Sequence, residues 1–308
     1  MKVLVTGGTG FLGRHLVPHL ERSGAEVTII NSRNANLTDA ANLLKPEFTE
    51  PRFDRIYHLA AWTKAGTFCL YHKGEQWITN QQINTNILAY WHQFQPQAMM
   101  IAMGTGCAYP PELELREENY MVGEPDHDLY TYALTKRMLY NGLVSLNHQF
   151  QHQFRYLIPS TLFGPRFDRE DSHFIFDLIK KIVAGKRHGT PVSLWGTGQQ
   201  IRELIYVDDA LRLIDLAVDK CPNDLLNLGS GQGYSIRQYA EMICEIVGFD
   251  HAKVQYDTSQ WQGVSKKVFN TDKINGLTKF DFTDIRVGLA KSIEYYLSLG
   301  DELPGSHH

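Results

Sequence analysis

Residues 2–13 read Lys2-Val3-Leu4-Val5-Thr6-Gly7-Gly8-Thr9-Gly10-Phe11-Leu12-Gly13, and this stretch decides the fold. Lys2 to Thr6 is a short apolar run rich in β-branched residues, as a buried strand requires. From Phe11 the pattern turns helical, with Leu12, Leu16 and Leu20 on one period. Gly24 closes that helix, and Glu26 to Ile30 makes the next strand, completing a β-α-β unit. A glycine turn at this junction lets the backbone approach a diphosphate closely. The helix start then offers it free N–H groups and the positive end of the helix dipole. Gly7, Thr9, Gly10, Phe11, Leu12 and Gly13 are therefore expected to cradle a dinucleotide; the alternative is a tight turn with no ligand.

Working outward, strands are expected at Ile56 to Ala60, Met99 to Met103 and Tyr156 to Pro159. Helices are expected at Ile78 to Phe94, with Ile83, Ile87, Leu88 and Trp91 on one side, and at Tyr132 to Leu146. Alternating strands and helices predict an α/β fold with a doubly wound parallel sheet. After Gly164 the pattern loosens. Pro165 to Ser172 reads as loop, Phe174 to Ala184 as helix, and Val192 to Trp195 and Glu203 to Val207 as strands. Asp208 to Val218 reads as helix and Leu225 to Leu228 as strand. A helix capped by Ser235 and a last helix at Ile285 to Leu299 follow. These segments predict a smaller mixed α/β C-terminal lobe. The expected division is a dinucleotide-binding domain at 1–163 with return crossings near 205–225. Segments 164–204 and 226–308 form the substrate lobe.

The 308 residues are 43% hydrophobic and 21% charged, with a net charge of -4, an ordinary globular composition. No dense Lys/Arg run offers a nucleic-acid surface, and the Lys266-Lys267 pair is too short to count. No apolar run is long enough to suggest a membrane span. The first strand starts at once, with no leader-like segment before it, so a cytoplasmic protein is expected. Cys69, Cys107, Cys221 and Cys244 match no paired metal or disulfide spacing and are expected to be reduced thiols. No metal site is expected; His148 and His152 read as an exposed helix end.

Tyr132-x-x-x-Lys136 lies in an expected helix, where residues four apart share a face. A nearby ammonium is expected to lower the phenol pKa, so that Tyr132 trades a proton with a hydroxyl or ketone while hydride moves. Thr105 follows the fourth strand, at the crevice where ligands bind, and its hydroxyl suits a substrate oxygen. The second strand ends in Asn31-Ser32-Arg33, with no carboxylate for a ribose diol. Arg33 instead suits a 2'-phosphate, so NADP is favoured, with NAD possible.

Together these motifs resemble the extended short-chain dehydrogenase/reductase (NAD-dependent epimerase/dehydratase) family. Within it the chain resembles the GDP-L-fucose synthase group. The likeness runs through Ser32 to Asp39, Gly104-Thr105-Gly106-Cys107-Ala108-Tyr109-Pro110, Phe163-Gly164-Pro165 through His173, and Trp195-Gly196-Thr197-Gly198 through Asp209. Asp257-Thr258-Ser259 and Ile285 to Tyr296 extend it over nearly the whole chain. The resemblance implies a Rossmann domain, NADPH and a GDP-4-keto-6-deoxy-sugar. It makes Thr105, Tyr132 and Lys136 the reductase trio. It likewise makes Cys107 the epimerisation base and His173 the acid on the other face. Asn36, Leu37, Ala60 and Pro159 join the cofactor contacts, and Thr161, Lys181, Trp195 and Arg202 the substrate contacts. A homodimer built on the helices at 78–94 and 132–146 is also implied.

A C4 ketone acidifies the hydrogens on C3 and C5, and inversion needs a base on one face and an acid on the other. Thiol and imidazole titrate close enough to neutrality to serve. Several positions depart from the group. Gly106 replaces a serine, Thr161 and Asn270 replace an asparagine and an aspartate, and Trp261-Gln262 replace Pro-Asp. Trp62-Thr63-Lys64-Ala65-Gly66 replaces a glycine-rich run. These changes raise a different nucleotide-sugar, such as a GDP-heptose, for a C4-reductase, a dehydrogenase or an epimerase.

Overall fold

The computed structural model describes residues 1–64, 68–171, 173–259 and 263–300. The first half runs β1 (Lys2–Thr6), α1 (Phe11–Arg22), β2 (Glu26–Ile30), α2 (Pro46–Thr49), β3 (Arg55–His58), α3 (Phe68–Tyr71) and α4 (Lys73–Phe94). It continues with β4 (Met99–Met103), α5 (Tyr130–Phe150), β5 (Phe154–Pro159), β6 (Thr161–Phe163), α6 (Phe174–His188) and β7 (Val192–Trp195). Then follow β8 (Ile201–Tyr206), α7 (Val207–Lys220), β9 (Leu225–Leu228), β10 (Gly233–Ser235) and α8 (Ile236–Val247). The chain closes with β11 (Val254–Asp257), β12 (Lys266–Lys267), α9 (Asp272–Leu277) and α10 (Ile285–Ser298).

A six-stranded sheet has the order β2-β1-β3-β4-β5-β9, every pair parallel. Alternation along each strand sends side chains to both faces. On β1, Leu4 joins Ile83, Ile87, Trp91 and Leu143 under α4 and α5. Val3 and Val5 join Leu16, Leu20, Leu211 and Ile214 under α1 and α7. Both faces are covered, which is why these strands read as continuous apolar runs. The strand order reverses between β1 and β3, so a crevice opens beyond their carboxyl ends. The doubly wound sheet and the smaller mixed C-terminal lobe are both present.

That lobe has its own core, where Phe163, Phe176, Ile179, Leu194, Tyr239 and Leu289 pack together. Its small sheet runs β10-β8-β12, with β6 also on β8, and β7 pairs with β11. Only Ser160 separates β5 from β6, so the large sheet feeds directly into the lobe. α8 starts with the expected cap: Ser235 Oγ accepts from the Gln238 amide at 3.1 Å, and Gln238 Oε1 from the Ser235 amide at 2.8 Å. Such a reciprocal cap is worth about 1 kcal/mol. His152 corrects an expectation: it lies past α5, buried against Trp91, with Nε2 3.0 Å from His92 Nδ1. Only His148 is at an exposed helix end.

Candidate active site

The glycine turn is shaped by contact. Gly7 has φ +71°, and a Cβ on it would lie 2.8 Å from the Ala60 amide. A Cβ on Gly13 would lie 2.5 Å from Gly7 O, so that glycine lets α1 seat on the loop. Gly10 differs. A Cβ there would meet Gly7 O at 3.4 Å and nothing nearer, and Thr9 and Gly10 are both exposed. Space beside Gly10 is thus left open rather than packed. α1 has no side-chain cap and no acidic residue in its first turn, so its first amides and positive end remain available to an anion. These residues fit a dinucleotide.

Around this turn, Leu12 is half-buried, and the Ala60 amide donates to Thr6 Oγ1 at 3.3 Å. Pro159 is half-buried at the carboxyl end of β5. After β2, Asn34 Oδ1 accepts from the Asn31 amide at 2.9 Å and Asn34 Nδ2 donates to Ile29 O at 2.7 Å. This turn presents Arg33 in the open; its guanidinium has no partner among the described residues. Asn36 Oδ1 accepts from the Thr38 amide at 3.1 Å, and buried Leu37 takes a bond from Asn86 Nδ2 at 2.9 Å.

The carboxyl end of β4 turns through Thr105, whose Oγ1 accepts from the Cys107 amide at 3.3 Å. The hydroxyl therefore steadies the turn and still has its own proton to donate. Arg137 on α5 clamps this turn: Nε donates to Ala108 O at 3.0 Å and Nη1 to Gly123 O at 2.7 Å. Tyr132 and Lys136 project from the same helix, with Lys136 Nζ 5.9 Å from the Tyr132 ring centre. Burial pushes the Tyr132 phenol well up, and the thiols of Cys107 and Cys69 and the Tyr120 phenol add to this. This corrects the expectation of a phenol lowered by Lys136. Desolvation dominates, and the phenol stays a proton donor. Burial likewise pushes Lys136 down to about 8. Beside it, buried His58 bridges Thr6 Oγ1 at 2.8 Å and Asn84 Oδ1 at 3.3 Å. Burial first and Lys136 second push that imidazole down to about 3, so it is neutral.

The C-terminal lobe brings cations to Cys107. Lys267 Nζ donates to Cys107 Sγ at 3.3 Å, and Lys267 pairs in register with Arg202 across β12 and β8. Burial lowers the Arg202 guanidinium, and the Cys107 thiol and Asp126 pull it back up. Lys181 Nζ lies 5.8 Å over the ring of half-exposed Trp195 and 2.9 Å from Asp177 Oδ2. Thr161 opens β6, opposite Leu204.

His173 stands apart. Its Nδ1 lies 2.6 Å from Asp171 Oδ1. Burial tends to raise the Asp171 carboxyl, but the bonds and charge from His173 hold it below the usual carboxylate range. The carboxylate is thus the acceptor and Nδ1–H the donor. The His173 ring sits 6.4 Å from Phe176, which sits 5.5 Å from Phe11. Among the described residues, no hydrogen bond or ring contact joins His173 to Cys107, Thr105 or Tyr132. The departures at Ala65-Gly66 and Trp261-Gln262, and Ser172 of the resembling loop, lie outside the described residues.

A model of the NAD dependent epimerase/dehydratase family matches residues 3–229. The chain belongs to that family. Its members' cofactor chemistry carries over: the protein is an enzyme whose cofactor is NAD or NADP(H). Among curated relatives, GDP-L-colitose synthase of Yersinia pseudotuberculosis is 26% identical, over 97% of this chain and 98% of that one. GDP-L-fucose synthase of Escherichia coli K12 is 24% identical, with 99% of each chain covered. Among solved structures, a GDP-L-fucose synthetase from Naegleria fowleri superposes with a TM-score of 0.87 at 26% identity, covering 96% of this chain and 93% of that one.

Against this family background, sequence reasoning missed three parts of the site. Lys267 was counted only as half of a short basic pair, because a two-residue strand carries no periodicity to reveal it. Arg137 and Asn84 were overlooked because polar residues inside helices read as surface. The spacing of Gln76, Asn80 and Asn84, each four apart and each buried, is the signal that would have found that face of α4.

Proposed function

We propose that this protein is an NADPH-dependent epimerase/reductase acting on a GDP-4-keto-6-deoxy-hexose or a closely similar GDP-sugar. The observation that carries the reading is Cys107, held by Lys267 beside a phenol kept protonated by burial. Thr105 holds the ketone oxygen, and Tyr132 donates its proton to O4. Lys136 orients the ribose and supports Tyr132. When bound, NADPH would be held by the glycine turn, Arg33 and Lys136 and would supply the hydride for C4. Before that step Cys107 takes a proton from carbon next to the ketone, leaving an enolate. His173, its ring fixed by Asp171, returns a proton to the opposite face. Arg202, Lys181 and Trp195 grip the diphosphate and base, and Thr161 borders the sugar. The names of the similar proteins support a GDP-linked sugar.

One observation favours a second reading, a C4-reductase, C4-dehydrogenase or epimerase on another nucleotide-sugar such as a GDP-heptose. Trp62 is fixed by Asn80, whose Oδ1 accepts from its amide at 2.8 Å, and its ring meets Phe68 at 4.8 Å. Next to it Thr63 contacts Cys69, whose thiol acts on Tyr132. This wall is bulkier than the glycine-rich run it replaces.

Arg33 selects NADPH by meeting its 2'-phosphate. In a competition assay on a GDP-4-keto-sugar, NADPH is expected to outcompete NADH by about tenfold or more; equal use or preference for NADH would contradict this. The exposed residues Trp77 and Ile78 on α4 and Met138 on α5 support a homodimer through these helices, which light scattering tests. The unpaired state of all four cysteines supports a cytoplasmic location. No helix among the described residues is long and apolar enough to cross a membrane.

A further inference from the structure

Glu203 is next to Arg202 on β8 and is 2% exposed. Its carboxylate is spent on backbone donors. Oε1 accepts from the Ser230 amide at 2.5 Å and the Gly231 amide at 3.0 Å. Oε2 accepts from the Phe269 amide at 2.7 Å. Burial pushes the carboxyl above its usual range, and these donors pull it back. A buried carboxylate is costly unless such bonds satisfy it. A Cβ on Gly229 would run into it, so the neighbouring turn is shaped to admit it.

The Phe269 bond leads to the candidate active site. A Cβ on Gly106 would lie 3.0 Å from the Phe269 ring, so that ring packs beneath the Cys107 turn. Two residues earlier in the same extended segment is Lys267, whose Nζ reaches Cys107 Sγ. Residues two apart in an extended chain share a face. We propose that Glu203 is a positioning residue: by holding the Phe269 amide, it sets the register in which Lys267 meets Cys107. Its effect on turnover rests on the acid/base role of Cys107 proposed above; the positioning itself does not.

The test is the alkylation rate of Cys107 by iodoacetamide in the full-length protein, read by peptide mass spectrometry. Cys107 is half-buried and the other three thiols are buried. Thiols react faster beside a cation, so Lys267→Gln is expected to slow alkylation about tenfold. Glu203→Gln, isosteric but lacking one acceptor, is expected to slow it by a similar factor. In the double variant the two losses should not add. Gly229→Ala, which crowds the carboxylate without removing its charge, should also slow it. An unchanged rate in Glu203→Gln with a lowered melting temperature would mean a merely structural carboxylate and overturn the proposal. Full additivity with Lys267→Gln would overturn it as well. If this pattern holds but the wild type incorporates no solvent deuterium into a GDP-4-keto-sugar, the proposed activity fails and the positioning role stands.

Discussion

Tyr132→Phe is expected to lower kcat for ketone reduction by about a thousandfold, the scale of losing a positioned proton donor. In the proposed reduction negative charge develops on O4, and Tyr132 is the proposed donor, its phenol kept protonated by burial. Phenylalanine keeps the ring and its packing and removes only that proton. NADPH affinity should hold, because the glycine turn and α1 are untouched. Single-turnover oxidation of NADPH with a GDP-4-keto-sugar measures the effect. A fall of less than about tenfold would assign the proton to another group.

Lys136→Met is expected to do two opposite things. Activity should fall by about a hundredfold or more, because in the proposed mechanism this cation orients the ribose and the phenol. Stability at neutral pH should rise. Lys136 is 3% exposed, and its ammonium has no hydrogen-bond or ion-pair partner among the described residues. Burial takes its pKa from 10.5 down to about 8. Between those values the unfolded chain carries a proton that the native chain has lost, so native stability rises with pH across that window. Below about 8 the full cost of the buried charge remains, on the order of 3 kcal/mol. The variant's advantage should therefore be largest at pH 7 and vanish as the pH climbs past 10. Urea unfolding at fixed protein concentration, at both ends of this range, reads it. An advantage that does not change with pH would contradict the buried ammonium.

The parts of the fold that bury apolar surface were legible from pattern. β1, β2, β4, β7 and β9 occupy the residues expected of them, and the glycine turn sits at the junction where the first strand and helix meet. The misses share a cause. α4 begins at Lys73 rather than Ile78 because its first turns bury Gln76 and Asn80 through hydrogen bonds, which hydrophobic periodicity does not register. β3 stops at His58 because Leu59 and Ala60 already turn toward Gly7. β6, β10 and β12 have only two or three residues and are fixed by pairing with β8, a tertiary fact. For the site, residue types on one helix were readable from spacing. What joins the lobes was not: the meeting of Lys267 with Cys107 spans 160 positions. The direction of the Tyr132 shift was misread because spacing reports a neighbouring charge and not the water lost on burial.

The most direct test places wild type and Cys107→Ser in heavy water with NADPH and GDP-4-keto-6-deoxy-mannose. Nicotinamide oxidation and product mass are followed together. Wild type is expected to oxidise NADPH and to retain a solvent deuteron at each of C3 and C5, and Cys107→Ser to lose the carbon deuteration. NADPH oxidation without deuterium on carbon would contradict epimerisation and leave a C4-reductase.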